Sequence, residues 1–149
     1  MKSLFDSDTH REVLRRIHQL DAQKQAKWGT MDVVKMLRHS QRPLEVANGT
    51  LVLKKPNPVM KLLFKVFKST MYNDTPWKKS MPTAKEFLVS DTDDFVTEKQ
   101  RLIDQLNTFV KKSTNLHWPE HPAFGKFKTD QWGKMQYKHI DHHLRQFGV

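Results

Sequence analysis

The sequence predicts an all-α fold in which four main helices form a bundle joined by one long crossover. Three observations carry this. Four stretches repeat apolar residues at helical spacing. Cap and breaker residues separate them. The interval between the second and third stretches, residues 49–90, is too long for a simple loop, and one long crossover is a known bundle connection. With 149 residues, the chain is expected to be a single domain spanning 1–149.

The first helix is expected over about 8–25. Thr9 with Glu12 fits a capping box, and Val13, Ile17 and Leu20 follow at helical intervals. Trp28-Gly29-Thr30 closes a short turn, and Thr30 is expected to cap the second helix. That helix carries Val33, Met36, Leu37, Ser40, Leu44 and Ala47 as its stripe. Pro43 lies inside it and predicts a bend or an early end, and Asn48-Gly49 stops it. In the crossover, Leu51 to Leu53 is a short apolar run broken by Pro56 and Pro58. Val59 to Met71 has helical spacing, and Pro76 and Pro82 mark extended connector. Ser90 or Asp91 is expected to open the third main helix over about 92–112, with Phe95, Leu102, Ile103, Leu106, Phe109 and Val110 facing inward. Trp118 to Phe127 reads as loop, and Thr129 as the cap of a last helix over about 130–147.

Composition narrows the function. Cysteine is absent, which excludes disulfides, thiolate metal sites, iron–sulfur clusters and a cysteine nucleophile. The five glycines are scattered and form no phosphate-binding loop, and no Gly-x-Ser-x-Gly elbow occurs. Carboxylates do not gather on an inner face, which argues against a di-iron site and paired-carboxylate glycosidase chemistry. No run of apolar residues is long enough to span a membrane. Met1 to Asp8 has neither an apolar stretch nor a cleavage pattern, so a cytoplasmic location is expected.

Lys plus Arg number 26 against 16 Asp plus Glu, a net charge of +10. Such a balance raises nucleic acid, an anionic membrane or an anionic small molecule as partners. The excess concentrates in residues 54–79, where Lys54, Lys55, Lys61, Lys65, Lys68, Lys78 and Lys79 meet one acid, Asp74. Met60, Leu63, Phe64 and Phe67 form one face of a short helix there, with Lys61, Lys65 and Lys68 on another. The expected arrangement is a lid packed on the bundle with its lysines outward. The alternative is an interfacial amphipathic helix, part of a non-catalytic basic module that binds nucleic acid or an anionic membrane.

The eight histidines carry the site argument. His117 and His121 flank Pro119 and so read as loop residues. His139 and His143 sit inside the continuous last helix. At about 100° per residue they fall about 20° to either side of Trp132. Met135, Gln136, Ile140 and Phe147 share that side, while Lys134, Lys138, Asp141 and Arg145 lie opposite, which makes Asp141 an expected surface residue. Two imidazoles one turn apart in an apolar layer need partners, because unpaired buried polar groups are costly. A shared metal ion meets that need, as do hydrogen bonds to neighbours such as Gln136 and Gln146. A third ligand would come from another helix, and His39 in the second helix is the best placed. His10 and His18 read as capping or surface residues, and Glu45 as at most a supporting residue.

These features resemble the DinB/YfiT-like superfamily of metalloproteins over nearly the whole chain. The resemblance rests on Trp28-Gly29-Thr30-Met31, Met36-Leu37-Arg38-His39, Pro43-Leu44-Glu45-Val46 and His121-Pro122-Ala123-Phe124-Gly125. It rests also on Thr129 with Trp132-Gly133, and above all on Tyr137 to Gln146. It is nearest to a branch of uncharacterised bacterial proteins, and it implies an up-down-down-up four-helix bundle. The superfamily holds a divalent ion with one histidine of the second helix and a His-x-x-x-His pair of the last. Carried over, the metal ligands are His39, His139 and His143, with zinc or nickel as the expected ion, and no catalytic residue is assigned. Characterised relatives include thiol S-transferases. The resemblance thus implies a metal-dependent enzyme with a small-molecule substrate and a low-molecular-weight thiol as cosubstrate, and, since relatives often dimerise, a homodimer. The lack of cysteine fits a thiol that arrives with the cosubstrate.

Overall fold

The computed structural model describes residues 1–54, 56–81, 87–90, 92–115 and 117–149; Lys55, Pro82 and Asp91, used above, lie outside them. Among the described residues the fold is all-α. Its helices are α1 (Ser7–His18), α2 (Val33–Asn48), α3 (Pro58–Phe67), α4 (Phe95–Val110) and α5 (Thr129–Gln146), with a 3-10 turn over Lys68–Met71 after α3. No described segment forms a strand; His121 and Gly125 make one isolated bridge. None of these helices is long and apolar enough to cross a membrane.

The expected stripes are the core. Val13, Ile17 and Leu20 of the first stretch, Met36, Leu37 and Leu44 of α2, and Leu102, Leu106 and Phe109 of α4 are all buried, around Trp132, Ile140 and Leu144 of α5. Burying side chains of this size contributes roughly 1.5–3 kcal/mol each, so the stripes dictate how the helices face one another. α2 packs chiefly on α4 and also on α5, while α1 touches both α4 and α5.

Helix ends differ from expectation where a nearby carboxylate competes better. α1 stops at His18, well short of 25. Beyond it Asp21 accepts from the Gln23 amide, and the Lys99 ammonium on α4 takes the carbonyls of His18 and Leu20, so helix-end acceptors are filled from a neighbouring helix. The cap of α2 is Asp32, which accepts from the Lys35 amide at 2.8 Å, and not Thr30. The cap of α4 is Asp94, bonded to the amides of Val96 and Thr97, and not Ser90. Thr129 opens α5, yet its hydroxyl bonds the Asn115 carbonyl and the Trp118 indole, tying the preceding loop down. Pro43 neither ends nor interrupts α2, which runs on to Asn48 and stops at Gly49 with a left-handed φ of 81°.

The 59–71 helix forms as expected, but the lid arrangement is contradicted. No residue of α3 is buried, and Val59, Met60, Leu62, Leu63, Val66 and Phe67 are exposed. Phe64 alone among its apolar side chains has a ring partner, Phe124, at 5.5 Å.

Candidate metal centre

His39 lies in the middle of α2, and His139 and His143 lie one turn apart on α5. The two helices are locked in register beside them, where the Gln136 amide donates to the Pro43 carbonyl at 2.8 Å. The three imidazoles therefore meet in one layer. Ring centroids are 5.1 Å apart for His39 and His139, 4.8 Å for His39 and His143, and 4.7 Å for His139 and His143. All three residues are buried, and one nitrogen from each lies within 4.8 Å of the others.

Hydrogen bonds orient the rings. The Nδ1 of His39 is 3.0 Å from the Phe87 carbonyl, an acceptor, so Nδ1 carries the proton and Nε2 keeps its lone pair. The Nδ1 of His143 is 2.8 Å from Gln146 Oε1, and the Gln146 amide donates to the Trp28 carbonyl at 2.7 Å, which fixes the amide's orientation. His143 is thus also a donor at Nδ1, with a lone pair on Nε2. Outer partners of this kind orient metal-ligating imidazoles. His139 differs: its Nε2 is 3.2 Å from His39 Nε2, and its buried Nδ1 has no partner.

Gly29 is needed for the Gln146 link. Its φ is 81°, and a Cβ there would lie 2.7 Å from Gln146 Nε2. The Trp28-Gly29 turn is therefore a support for the His143 ring.

Burial holds all three imidazoles neutral. It lowers the His39 pKa against a small opposing effect of the Phe87 carbonyl. Burial and then the neighbouring histidines push His139 well below its ordinary value and His143 to about 3. Neutral imidazole is the metal-binding form. Zinc–nitrogen bonds of about 2.0–2.1 Å set tetrahedral nitrogen–nitrogen edges of about 3.3 Å, and the His39–His139 separation has that length. The three-imidazole donor set and the lone pairs on the His39 and His143 Nε2 atoms fit a divalent ion of borderline softness.

The layer is capped by aromatic rings, of which Trp28 alone was marked in the sequence, and then as a turn residue. Trp77 lies 6.0 Å from both His139 and His142, and Trp28 lies 6.0 Å from His142. Phe87 meets His39 edge-on at 6.4 Å. Phe87 acts through its backbone carbonyl, which leaves no trace in residue type. Trp77 stands alone in the basic connector, with no spacing that ties it to the histidines.

Other expectations resolve differently. Of the two proposed glutamine partners, Gln146 does bond His143, while Gln136 serves the helix contact and leaves its Oε1 unpartnered. Asp141 is not a solvated surface residue: it bridges Arg16 of α1 and Arg145, each at 2.8 Å. Lys138 is buried, its ammonium on the Thr70 and Asn73 carbonyls and the Asn73 side chain, because the crossover lies over that side of α5. Glu45 pairs with Arg38 and Arg42, away from the histidines. His18 and His117 are exposed. His121 is buried and its Nδ1 accepts from the amides of Ala123 and Phe124, a loop-closing role.

No curated protein and no solved structure matches the chain. A family model does, over residues 2–148, described as "Protein of unknown function (DUF1569)". The chain belongs to this uncharacterised family.

Proposed function

We propose that the chain is a divalent-metal-dependent enzyme of the DinB-like type, one domain over 1–149, with His39, His139 and His143 as the metal ligands. One observation carries the reading: three buried, neutral imidazoles from two helices converge, with two Nε2 atoms 3.2 Å apart. Two facing lone pairs at that distance are unfavourable without a proton or a cation between them. The pairwise contacts α2–α4, α2–α5, α1–α5 and α1–α4 support the four-helix reading, and the Gln41–Glu98 and Asn48–Gln105 bonds, which advance together along α2 and α4, support the parallel middle pair of an up-down-down-up scaffold.

When bound, zinc or nickel supplies a Lewis acid that lowers the pKa of a coordinated water or thiol and so provides a nucleophile near neutral pH. The protein's part is to hold geometry. The Phe87 carbonyl and Gln146 keep two rings turned with Nε2 inward, and Trp77 shields the layer from water. Beside the site is a cavity of about 360 Å³ whose wall includes Trp28, Trp77, Lys79, Lys138 and His142. Its size and the excess of Lys2, Lys79, Lys138 and Arg145 over Asp74 and Asp141 in its wall suit a small anionic molecule, such as a low-molecular-weight thiol bearing carboxylates. The reaction we favour is thiol S-transfer. A screen of low-molecular-weight thiols against electrophiles with the zinc- and nickel-loaded protein tests it. Thiol consumption that disappears in His39→Ala is the expected result, and no turnover with any pair would leave a metal-binding protein without this activity.

A further inference from the structure

Helix α3 puts its apolar side chains in water. Val59, Leu62 and Val66 are 68–77% exposed, and Met60, Leu63 and Phe67 are also exposed, all within ten residues. The helix is well started, with Asn57 accepting from the Met60 amide and Pro58 in the first turn, so these residues share a regular surface. One side is tethered: Phe64 meets Phe124, and Lys68 bonds the Lys126 carbonyl and lies over the Phe127 ring. On a helical wheel Val59, Leu62, Leu63 and Val66 cluster on the side away from Phe64, Lys65 borders this apolar face, and Lys61 lies about 40° further round, toward Phe64.

The charges around this face are of one sign. Lys54, Lys61, Lys65, Lys78 and Lys79 are exposed in the described part of 54–81. The one described acid there, Asp74, is held by the Met1 ammonium at 2.8 Å. A second copy of the chain would bring like-charged lysines together across a two-fold interface, which is repulsive. Nucleic acid would satisfy the lysines and leave the apolar side chains in water. An anionic lipid surface satisfies both, since aliphatic side chains enter the acyl boundary while lysines stay among the headgroups. At about 15 Å, α3 is too short to span a bilayer and would lie in its plane.

We infer that α3 is a membrane-docking helix that seats the protein on anionic lipid through Val59, Leu62, Leu63 and Val66, with Lys61 and Lys65 as headgroup contacts. This inference does not rest on the metal centre.

Flotation of the full chain with phosphatidylcholine vesicles, with and without phosphatidylglycerol, tests it. The protein should float with the anionic vesicles at low salt, float less as salt rises, and stay behind with phosphatidylcholine alone. Leu62→Asp with Val66→Asp should cut the bound fraction by about tenfold or more, with an unchanged circular dichroism spectrum because both sites are exposed. Lys61→Glu with Lys65→Glu should weaken binding and flatten its salt dependence. The inference is overturned by no flotation with anionic vesicles at low salt, or by flotation that the double aspartate variant leaves unchanged. It is overturned equally by sedimentation as a dimer that the same variant dissociates, which would make a second copy the occupant.

Discussion

Between α2 and α5, three imidazoles are buried in a core otherwise built of side chains such as Leu44, Trp132 and Ile140; along α3, six large apolar side chains face solvent. The two regions depart from inside–outside sorting in opposite directions, and each departure has a compensation of a different kind. Two of the histidines are supported by bonds within the chain, from the Phe87 carbonyl to His39 and from Trp28 through Gln146 to His143. Among the described residues α3 has little such support, a ring contact and a lysine tether. Polar groups within a core require partners built into the chain, whereas apolar groups outside it require a partner from elsewhere.

Substitutions should separate the two regions sharply. The largest effect is expected at a proposed ligand: His143→Ala should lower zinc affinity by more than about a hundredfold, beyond the range for altering an orienting group, as read by competition with a chelator. Acid should come next. Burial pushes His121 down to about 4, so the folded state stays unprotonated while the unfolded chain takes up a proton near 6.5. That contribution is whole above pH 6.5 and is lost as pH falls toward 4, a change of order 3 kcal/mol that denaturant titrations of His121→Phe and parent should resolve. Gln146→Leu removes the acceptor of His143 Nδ1 and the donor to the Trp28 carbonyl, and should weaken metal binding by about 10- to 100-fold while costing about 1–3 kcal/mol in thermal unfolding. Gly29→Ala forces a side chain into a left-handed φ and against Gln146, costing about 1–2 kcal/mol in thermal unfolding. The smallest effect is the sharpest contrast: Leu62→Asp should shift stability by less than about 0.5 kcal/mol, although the same change at Leu106 would bury an unpaired charge and unfold the protein.

Much of the scaffold was legible because periodicity reports burial directly. Met36, Leu37 and Leu44 at helical spacing must face inward together, and so must Leu102, Leu106 and Phe109. The same wheel brought His139 and His143 to the inner side of α5, where both are buried. The wheel failed where a helix touches more than the core. It assigned Lys138 and Asp141 to the solvent side, yet the crossover covers Lys138, and Arg16 reaches Asp141 from α1. Helix ends were misread where Asp32 and Asp94 outcompete threonine and serine for free amides. The direction of α3 was misread because lysines on one side were taken to mark solvent, while the helix is anchored through Phe64 and Lys68 and turns its aliphatic residues out. The carbonyls of Phe87 and Trp28 have no sequence signature, since every residue carries one.

The measurement that bears most directly on the histidine layer is the metal stoichiometry of untagged protein, stripped with chelator, reconstituted with zinc, nickel or cobalt and desalted. About one equivalent should remain bound, with all three single His→Ala variants losing it and the cobalt form showing a low-symmetry visible spectrum. Retention of less than about a tenth of an equivalent of every ion, with the parent protein fully folded, would contradict a metal centre at His39, His139 and His143.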